Sequence, residues 1–170
     1  MDENHFIEIV DEFDNIVGRA SREEKFEKEL ISRIVVAFVL NSKGELVVVK
    51  RSPHKKSWPN RLDLATCGNV NEGETYREAI KREIKEEIGI SCRIRFLKKI
   101  FTNVEENGKR RKYFTAIFLG KTDKEPVLGD ELLELRYIKP TALGKQMKDE
   151  PGKFSPSFIE EFDLVKGLLK

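Results

Sequence analysis

"GNVNEGETYREAIKREIKEEIGI", residues 68 to 90, decides how the rest of the chain is read. From Thr75 onward its apolar residues keep a helical period, with Ile80, Ile84 and Ile88 at i, i+4 and i+8. Gly89 is a fitting C-cap, so the stretch reads as a loop followed by a helix from Thr75 to Ile88. The isoleucine stripe is the face that packs on a sheet. Glu83, Glu86 and Glu87 cluster on an arc centred roughly 110° from it, at the rim of the buried face, with Lys81 and Lys85 on the opposite flank. A solvated acidic face is the ordinary reading, since glutamate is a good helix former and i,i+4 Glu–Lys pairs are common. Glu83 and Glu87, however, are a like-charge i,i+4 pair with Glu86 between them. Such a pair costs a few tenths of a kcal/mol on an exposed helix, and ~3 kcal/mol at ~5 Å and an effective dielectric near 20. A bound divalent cation would cancel that repulsion, and hard carboxylate ligands suit Mg²⁺ or Mn²⁺.

Outward from this helix the chain alternates strands and helices. "HFIEIVDEFDNIVGRASR" reads as an N-terminal hairpin over about 5–20, turning at Asp14-Asn15. "SREEKFEKEL" is a short helix opened by Ser21, with Glu24 completing a capping box. Ile34 to Leu40 and Leu46 to Val49 are β-branched runs around Asn41-Ser42-Lys43-Gly44, the clearest hairpin in the chain. "RLDLATCGNV" reads as one strand. Residues 93 to 121 form strand, loop and strand, turning at Asn107-Gly108. "LELRYIKP" is a last strand, and a short helix near Ala142 to Lys148 stops before Pro151. A terminal helix over about 156–169 has Ser155 as cap and Pro156 at N1, with Phe158, Phe162, Val165 and Leu169 on one face. The expected class is α+β, a mixed sheet with helices packed against it.

The chain has 170 residues, which suits one domain over 1–170. A net charge of +2 is too small to argue for nucleic acid. Two cysteines do not make a disulfide framework, and the acidic start Asp2-Glu3 is no secretory leader. No apolar run reaches ~18 residues, so no membrane span is expected. Together these point to a cytoplasmic protein, for which a homodimer remains open.

The spacing of the helix motif is specific. Gly68, five residues, Glu74, seven residues, then Arg82-Glu83-Ile84-Lys85-Glu86-Glu87-Ile88-Gly89-Ile90 fits G-x5-E-x7-R-E-U-x-E-E-x-G-U, where U is a bulky aliphatic, at all nine specified positions. The chain therefore resembles the Nudix superfamily, and residues 68–90 its Nudix box. The resemblance implies an α/β/α sandwich and metal-dependent hydrolysis of a diphosphate linkage in a small molecule, a nucleoside diphosphate derivative or related metabolite. It implies Glu86 and Glu87 as core metal ligands, Glu83 in or near the metal shell, and the Gly68 carbonyl as a further ligand. Arg82 and Glu74 match the pair that orders helix and loop. The base that activates water comes from the box in many relatives and from a later loop glutamate in others. Glu131, just before the last strand, stands where that loop glutamate falls, or is a solvated loop acid.

A second resemblance runs through the same region. "KRSPHKKSWPNRLDLATCGNVNEGET" is similar to type I isopentenyl-diphosphate isomerase, a Nudix-fold enzyme, in its K-K-x-W-P loop and its C-G pair at Cys67-Gly68. Phe154-Ser155-Pro156 matches a late F-S-P in the same enzymes. In those isomerases the cysteine works as acid or base at carbon, and histidine ligands fall at the positions of Asn69 and near Ser32 here. A catalytic glutamate falls at Tyr113. The missing histidines and the intact box favour hydrolysis, with isomerisation and a non-catalytic nucleotide-binding domain as alternatives. Cys67 is then expected to be a small, largely buried thiol beside the site. The N-terminal Val10-Asp11-Glu12 through Ala20-Ser21-Arg22-Glu23 matches a subgroup with this isomerase-like layout, so the resemblance spans nearly the whole chain.

Lys50, Arg51, Lys55, Lys56 and Arg61 lie on the loop leading into the box. Arg51, Lys55 and Lys56 are candidates to bind a phosphate or the leaving group, against a solvated surface. Trp58 either stacks on a base or anchors the loop in the core. Lys109-Arg110-Arg111-Lys112 reads as a solvated hairpin end, and nucleic-acid binding is not expected.

Overall fold

A run as apolar as Ile31–Leu40 is expected to be buried on both faces, and it forms the spine of the molecule. The computed structural model describes residues 6–106, 108–127, 129 and 132–170. In chain order it contains β1 (Ile7–Val10), β2 (Ile16–Ala20), α1 (Arg22–Glu27), β3 (Ile31–Leu40), β4 (Leu46–Arg51), β5 (Leu62–Leu64) and β6 (Thr66–Asn69). These are followed by α2 (Tyr76–Ile88), β7 (Arg93–Glu106), β8 (Lys109–Lys121), β9 (Leu132–Ile138), α3 (Pro140–Asp149) and α4 (Pro156–Val165). β8 pairs in parallel along one edge of β3 and carries β7 on its far side. Along the other edge β1, β6 and β4 follow one another, each antiparallel.

Alternation along β3 divides the core in two. Val36, Phe38 and Leu40 face α3 and α4, packing with Leu143, Met147, Phe158 and Phe162. Val35, Ala37 and Val39 face Ala79, Ile80, Ile84 and Ile88 of α2. The result is the expected α/β/α sandwich, and the isoleucine stripe of α2 is its buried face. Thr75 caps α2 with a full capping box to Glu78, and Gly89 ends it at φ 66°.

Five local expectations change. The β3–β4 hairpin is paired only at its mouth, Leu40 with Leu46, because β6 takes the edge of β3 and β5 and β9 take the edges of β4. "RLDLATCGNV" is accordingly two strands that part at Ala65, one joining each side of this split. The terminal helix stops at Val165 and continues as a 3₁₀ turn to Leu168. Ser155 stands at its N-cap without capping it, since the hydroxyl donates to Asp63 Oδ1 at 2.8 Å. In α1 Ser21 accepts the Glu24 N–H, but the Glu24 carboxylate pairs with Lys28 instead of closing a capping box. Asn107 lies outside the described residues.

The N-terminal hairpin braces the loop before α2. Glu8 N donates to Val70 O at 3.2 Å, Glu72 N to Phe6 O at 3.0 Å, and Gly73 N to Glu8 Oε1 at 3.1 Å. Arg33 joins the hairpin to the sheet through Glu8 at 2.8 Å and Asp14 at 2.7 Å, and the Tyr76 hydroxyl donates to Asp14 at 3.0 Å. These pairs are largely buried, so removing one partner strands the other.

Candidate active site

Gly68 comes so close to α2 that a Cβ there would stand 1.9 Å from Glu83 Cδ. This close approach, not a special φ, is the reason for glycine at the start of the motif. It seats the Glu83 carboxylate, 7% exposed, against β6.

Arg82 ties the motif together. Its Nε and Nη2 donate to the two oxygens of Glu74 at 2.6 and 2.9 Å. Its Nη1 reaches Glu83 at 2.6 Å and Glu86 at 3.1 Å, and its Nη2 also reaches the Asn69 carbonyl at 2.9 Å. One guanidinium fork thus fixes the loop, β6 and two glutamates of the helix. Burial opposes ionisation of Glu74, but Arg82 and the Asn71 N–H hold its carboxyl below the usual range.

Glu87 is anchored differently. Its Oε2 accepts the Cys67 N–H at 3.0 Å, across the open edge of β6. Burial first, and then the Glu83 charge, push its pKa up to about 7, against the pull of the Cys67 N–H, the Thr66 hydroxyl and Lys55. Burial and the Glu86 charge likewise raise Glu83, while Arg82 opposes them. Glu86 is exposed. Among the described residues no group of three acidic, histidine or cysteine side chains converges as a ready-made metal cage. Glu83 and Glu86 turn toward Arg82, and Glu87 toward β6. The three carboxylates remain on one arc of α2, two of them held above their ordinary pKa by burial and like charge, and these hard oxygens are the chemistry a divalent cation stabilises.

The basic loop is built more than the sequence suggests. Arg51 donates to the Ser57 carbonyl at 3.0 Å and pairs with Asp63 at 2.9 Å, so it shapes the loop. Lys55 is half-buried, and its charge reaches Glu87. Lys56 is exposed. Trp58 does not enter the core: it is 41% exposed at φ 50°, with the Arg61 guanidinium 4.5 Å above its ring. Glu131 lies outside the described residues.

Cys67 is exposed, which corrects the expectation of a buried thiol. Its partner across the ladder is Val36, so its side chain faces the α4 side of the sheet. Its sulfur is nonetheless crowded by protein. Poor solvation, and then the charges of Glu161, Glu87, Asp63 and Glu83, raise its pKa well above the ordinary thiol value. The Asn69 side chain accepts from buried Lys25 at 3.3 Å, so the isomerase-like histidine position is filled by a lysine–amide pair. Burial, Arg111 and Arg22 bring Lys25 down to about 8. Tyr113, beside Ser32 in the ladder, is raised by burial.

Lys25, Asp63 and Glu161 join this neighbourhood, although sequence reasoning does not single them out. Glu161 has a readable signal: it interrupts the apolar stripe of Phe158, Phe162 and Val165, and it is 9% exposed. Lys25 and Asp63 have none, because they meet the site only through the fold.

Comparison with known proteins agrees with this geometry. The NUDIX domain family model matches residues 31–160. An uncharacterized Nudix hydrolase from Nostoc sp. is 31% identical over 162 residues, covering 90% of this chain and 92% of the relative. A prenyl-diphosphate phosphatase from Methanosarcina mazei is 31% identical over 159 residues, covering 91% of each. An isopentenyl-diphosphate Delta-isomerase from Photorhabdus laumondii is 26% identical over 162 residues, covering 94% of this chain and 90% of the relative. A crystal structure of a Deinococcus radiodurans protein superposes with a TM-score of 0.74 over 94% of this chain and 98% of its own, at 24% identity. With its motif, its sandwich and these relatives in agreement, the chain belongs to the Nudix hydrolase family, whose members act on pyrophosphate bonds.

Proposed function

We propose that this chain is a metal-dependent pyrophosphohydrolase that cleaves the diphosphate linkage of a nucleoside diphosphate derivative or related metabolite. The observation that carries the reading is the Arg82 knot, which fixes Glu74 and Glu83 while Glu87 is held partly protonated and Glu86 stays open to solvent. Glu83, Glu86, Glu87 and the Gly68 carbonyl would hold Mg²⁺ or Mn²⁺. Such an ion would neutralise diphosphate oxygens and lower the pKa of water held there. Glu86 or Glu87 would accept a proton from the attacking water, with Glu131 as the loop alternative. Arg51, Lys55 and Lys56 take the outer phosphate, with Arg51 also holding the loop, and Trp58 offers an exposed ring to the organic group. All of this falls within one domain.

The exposed thiol favours one second reading, an isomerase-like enzyme with Cys67 as acid or base. Against it stand the thiol's high pKa, the Lys25–Asn69 pair and the tyrosine at position 113. The prenyl-diphosphate phosphatase among the relatives makes a prenyl diphosphate a substrate to include in any screen. The test is metal-dependent product release from nucleoside di- and triphosphates, dinucleotides, nucleotide sugars and isopentenyl diphosphate. We expect phosphate or nucleotide release from at least one of them, with Cys67→Ala retaining it within about twofold. Isomerised isopentenyl diphosphate without hydrolysis, lost in Cys67→Ala, would replace the first reading by the second.

Gly68→Ala probes the seating of Glu83. The added methyl needs the space of its carboxylate, so we expect turnover to fall about 10- to 100-fold. Unchanged turnover would mean that Glu83 need not sit against β6.

A further inference from the structure

A second charged feature lies apart from these carboxylates. A cavity of about 410 Å³ opens where β4, β5, β9 and the turn after α3 meet, and Lys50, Arg61, Arg136 and Lys153 line it. Four cations from four segments converge there, and among the described residues no acidic side chain lines the wall. Strand alternation turns it away from Arg51, although Trp58 stacks on Arg61 of its wall. Lys50 faces the same side as Leu62, its partner across the ladder, whereas Arg51 and Asp63 point the other way and pair with each other. No described residue of α2 or β6 belongs to its lining.

The cations are only partly neutralised. Glu134 lies across the ladder from Lys50, yet both of its oxygens are taken by Arg136, at 2.6 and 3.2 Å. Half-buried Lys50 reaches Glu134 only through its charge and makes no hydrogen bond or close ion pair to any described residue. Lys153 pairs with Glu150 at 2.6 Å. Arg61 spends one donor on the Phe154 carbonyl at 3.2 Å and stacks on Trp58, and among the described residues the rest of its fork has no side-chain partner. Two carboxylates thus answer four cations. The backbone around Arg61 is held in an uncommon form, with Trp58 at φ 50° and Asn60 at φ 61°. Bulky residues reach that region at a cost of order 1–3 kcal/mol, and surroundings that enforce it often serve a site.

We propose that this cavity is an anion site for a small oligophosphate, separate from the hydrolytic centre. Its volume exceeds the needs of a single phosphate, and a guanidinium fork with mobile ammonium groups suits phosphoryl oxygens.

The test is calorimetric titration of the metal-free full chain with inorganic pyrophosphate at low and high salt. Wild type is expected to bind with an affinity that falls as salt rises. The Lys50→Gln/Lys153→Gln double variant is expected to weaken binding about tenfold or more, at charge-assisted hydrogen-bond strength. Glu87→Gln is expected to leave it unchanged, because that carboxylate is not part of the cavity. Wild-type affinity in the double variant overturns the proposal. So does a short single-stranded oligonucleotide that binds through the same lysines when pyrophosphate does not. Circular dichroism of the double variant shows that any loss reflects binding and not folding.

Discussion

Glu87→Gln and Glu86→Gln should each lower metal-dependent turnover by about 100- to 1000-fold, on the scale of losing a positioned carboxylate base or ligand. The substitutions are chosen to leave the fold alone. A glutamine at position 87 still accepts the Cys67 N–H through its amide oxygen, so the tie between α2 and β6 survives. At position 86 the loss is one half-exposed i,i+4 contact to Arg82, worth roughly 0.3–0.5 kcal/mol. Turnover at saturating Mg²⁺, read beside the thermal midpoint, separates chemistry from stability. Full activity in both variants would remove the carboxylate arc from the mechanism. A loss in Glu87→Gln alone would assign the main role to the buried member of the pair.

Much of this site is legible in the linear chain, and for a physical reason. A cluster carried on one helix and the loop before it keeps its spacing along the sequence. Gly68, Glu74, Arg82, Glu83, Glu86 and Glu87 are therefore visible as a pattern, and α2 forms as its caps and isoleucine stripe require. What escapes the sequence is long-range. The Ile34–Leu40 and Leu46–Val49 runs look like a hairpin because local pairing is the cheapest expectation. Their separation depends on β6, from about 30 residues later, competing for the edge of β3, and no local property of either run encodes that. The same split makes "RLDLATCGNV" two strands and leaves Cys67 exposed. An exposed thiol cannot be told from a buried one by its immediate neighbours Thr66 and Gly68. Arg51 carries a second role that the sequence does not reveal: Asp63 and the Ser57 carbonyl engage it, so it also shapes the loop.

Glu161 carries the second large expected effect, and it concerns stability. The side chain is 9% exposed among Phe158, Phe162 and Val165, and it makes no hydrogen bond to any described residue. Burial, and then the charges of Asp63 and Glu160, push its pKa up from 4.5 to about 8. The unfolded chain ionises this group near 4.5 while the folded protein keeps the proton until about 8. Between those values the folded state binds more protons, so stability must fall as pH rises through the window. Glu161→Gln removes the titration and keeps the shape. It should match wild type near pH 5 and be more stable by ~2–5 kcal/mol above pH 8, the upper figure being the whole pKa difference at about 1.36 kcal/mol per unit. In a chain of this size that is a midpoint raised by roughly 5–15 °C. Denaturation of both proteins at pH 5, 7 and 9 decides the matter. A gap that does not widen with pH would mean that a partner neutralises Glu161 in the fold. A widening gap would show that α4 keeps a neutral carboxyl near Cys67 at the expense of stability. The group would then be protonated at neutral pH, able to donate a hydrogen bond to a ligand beside Cys67.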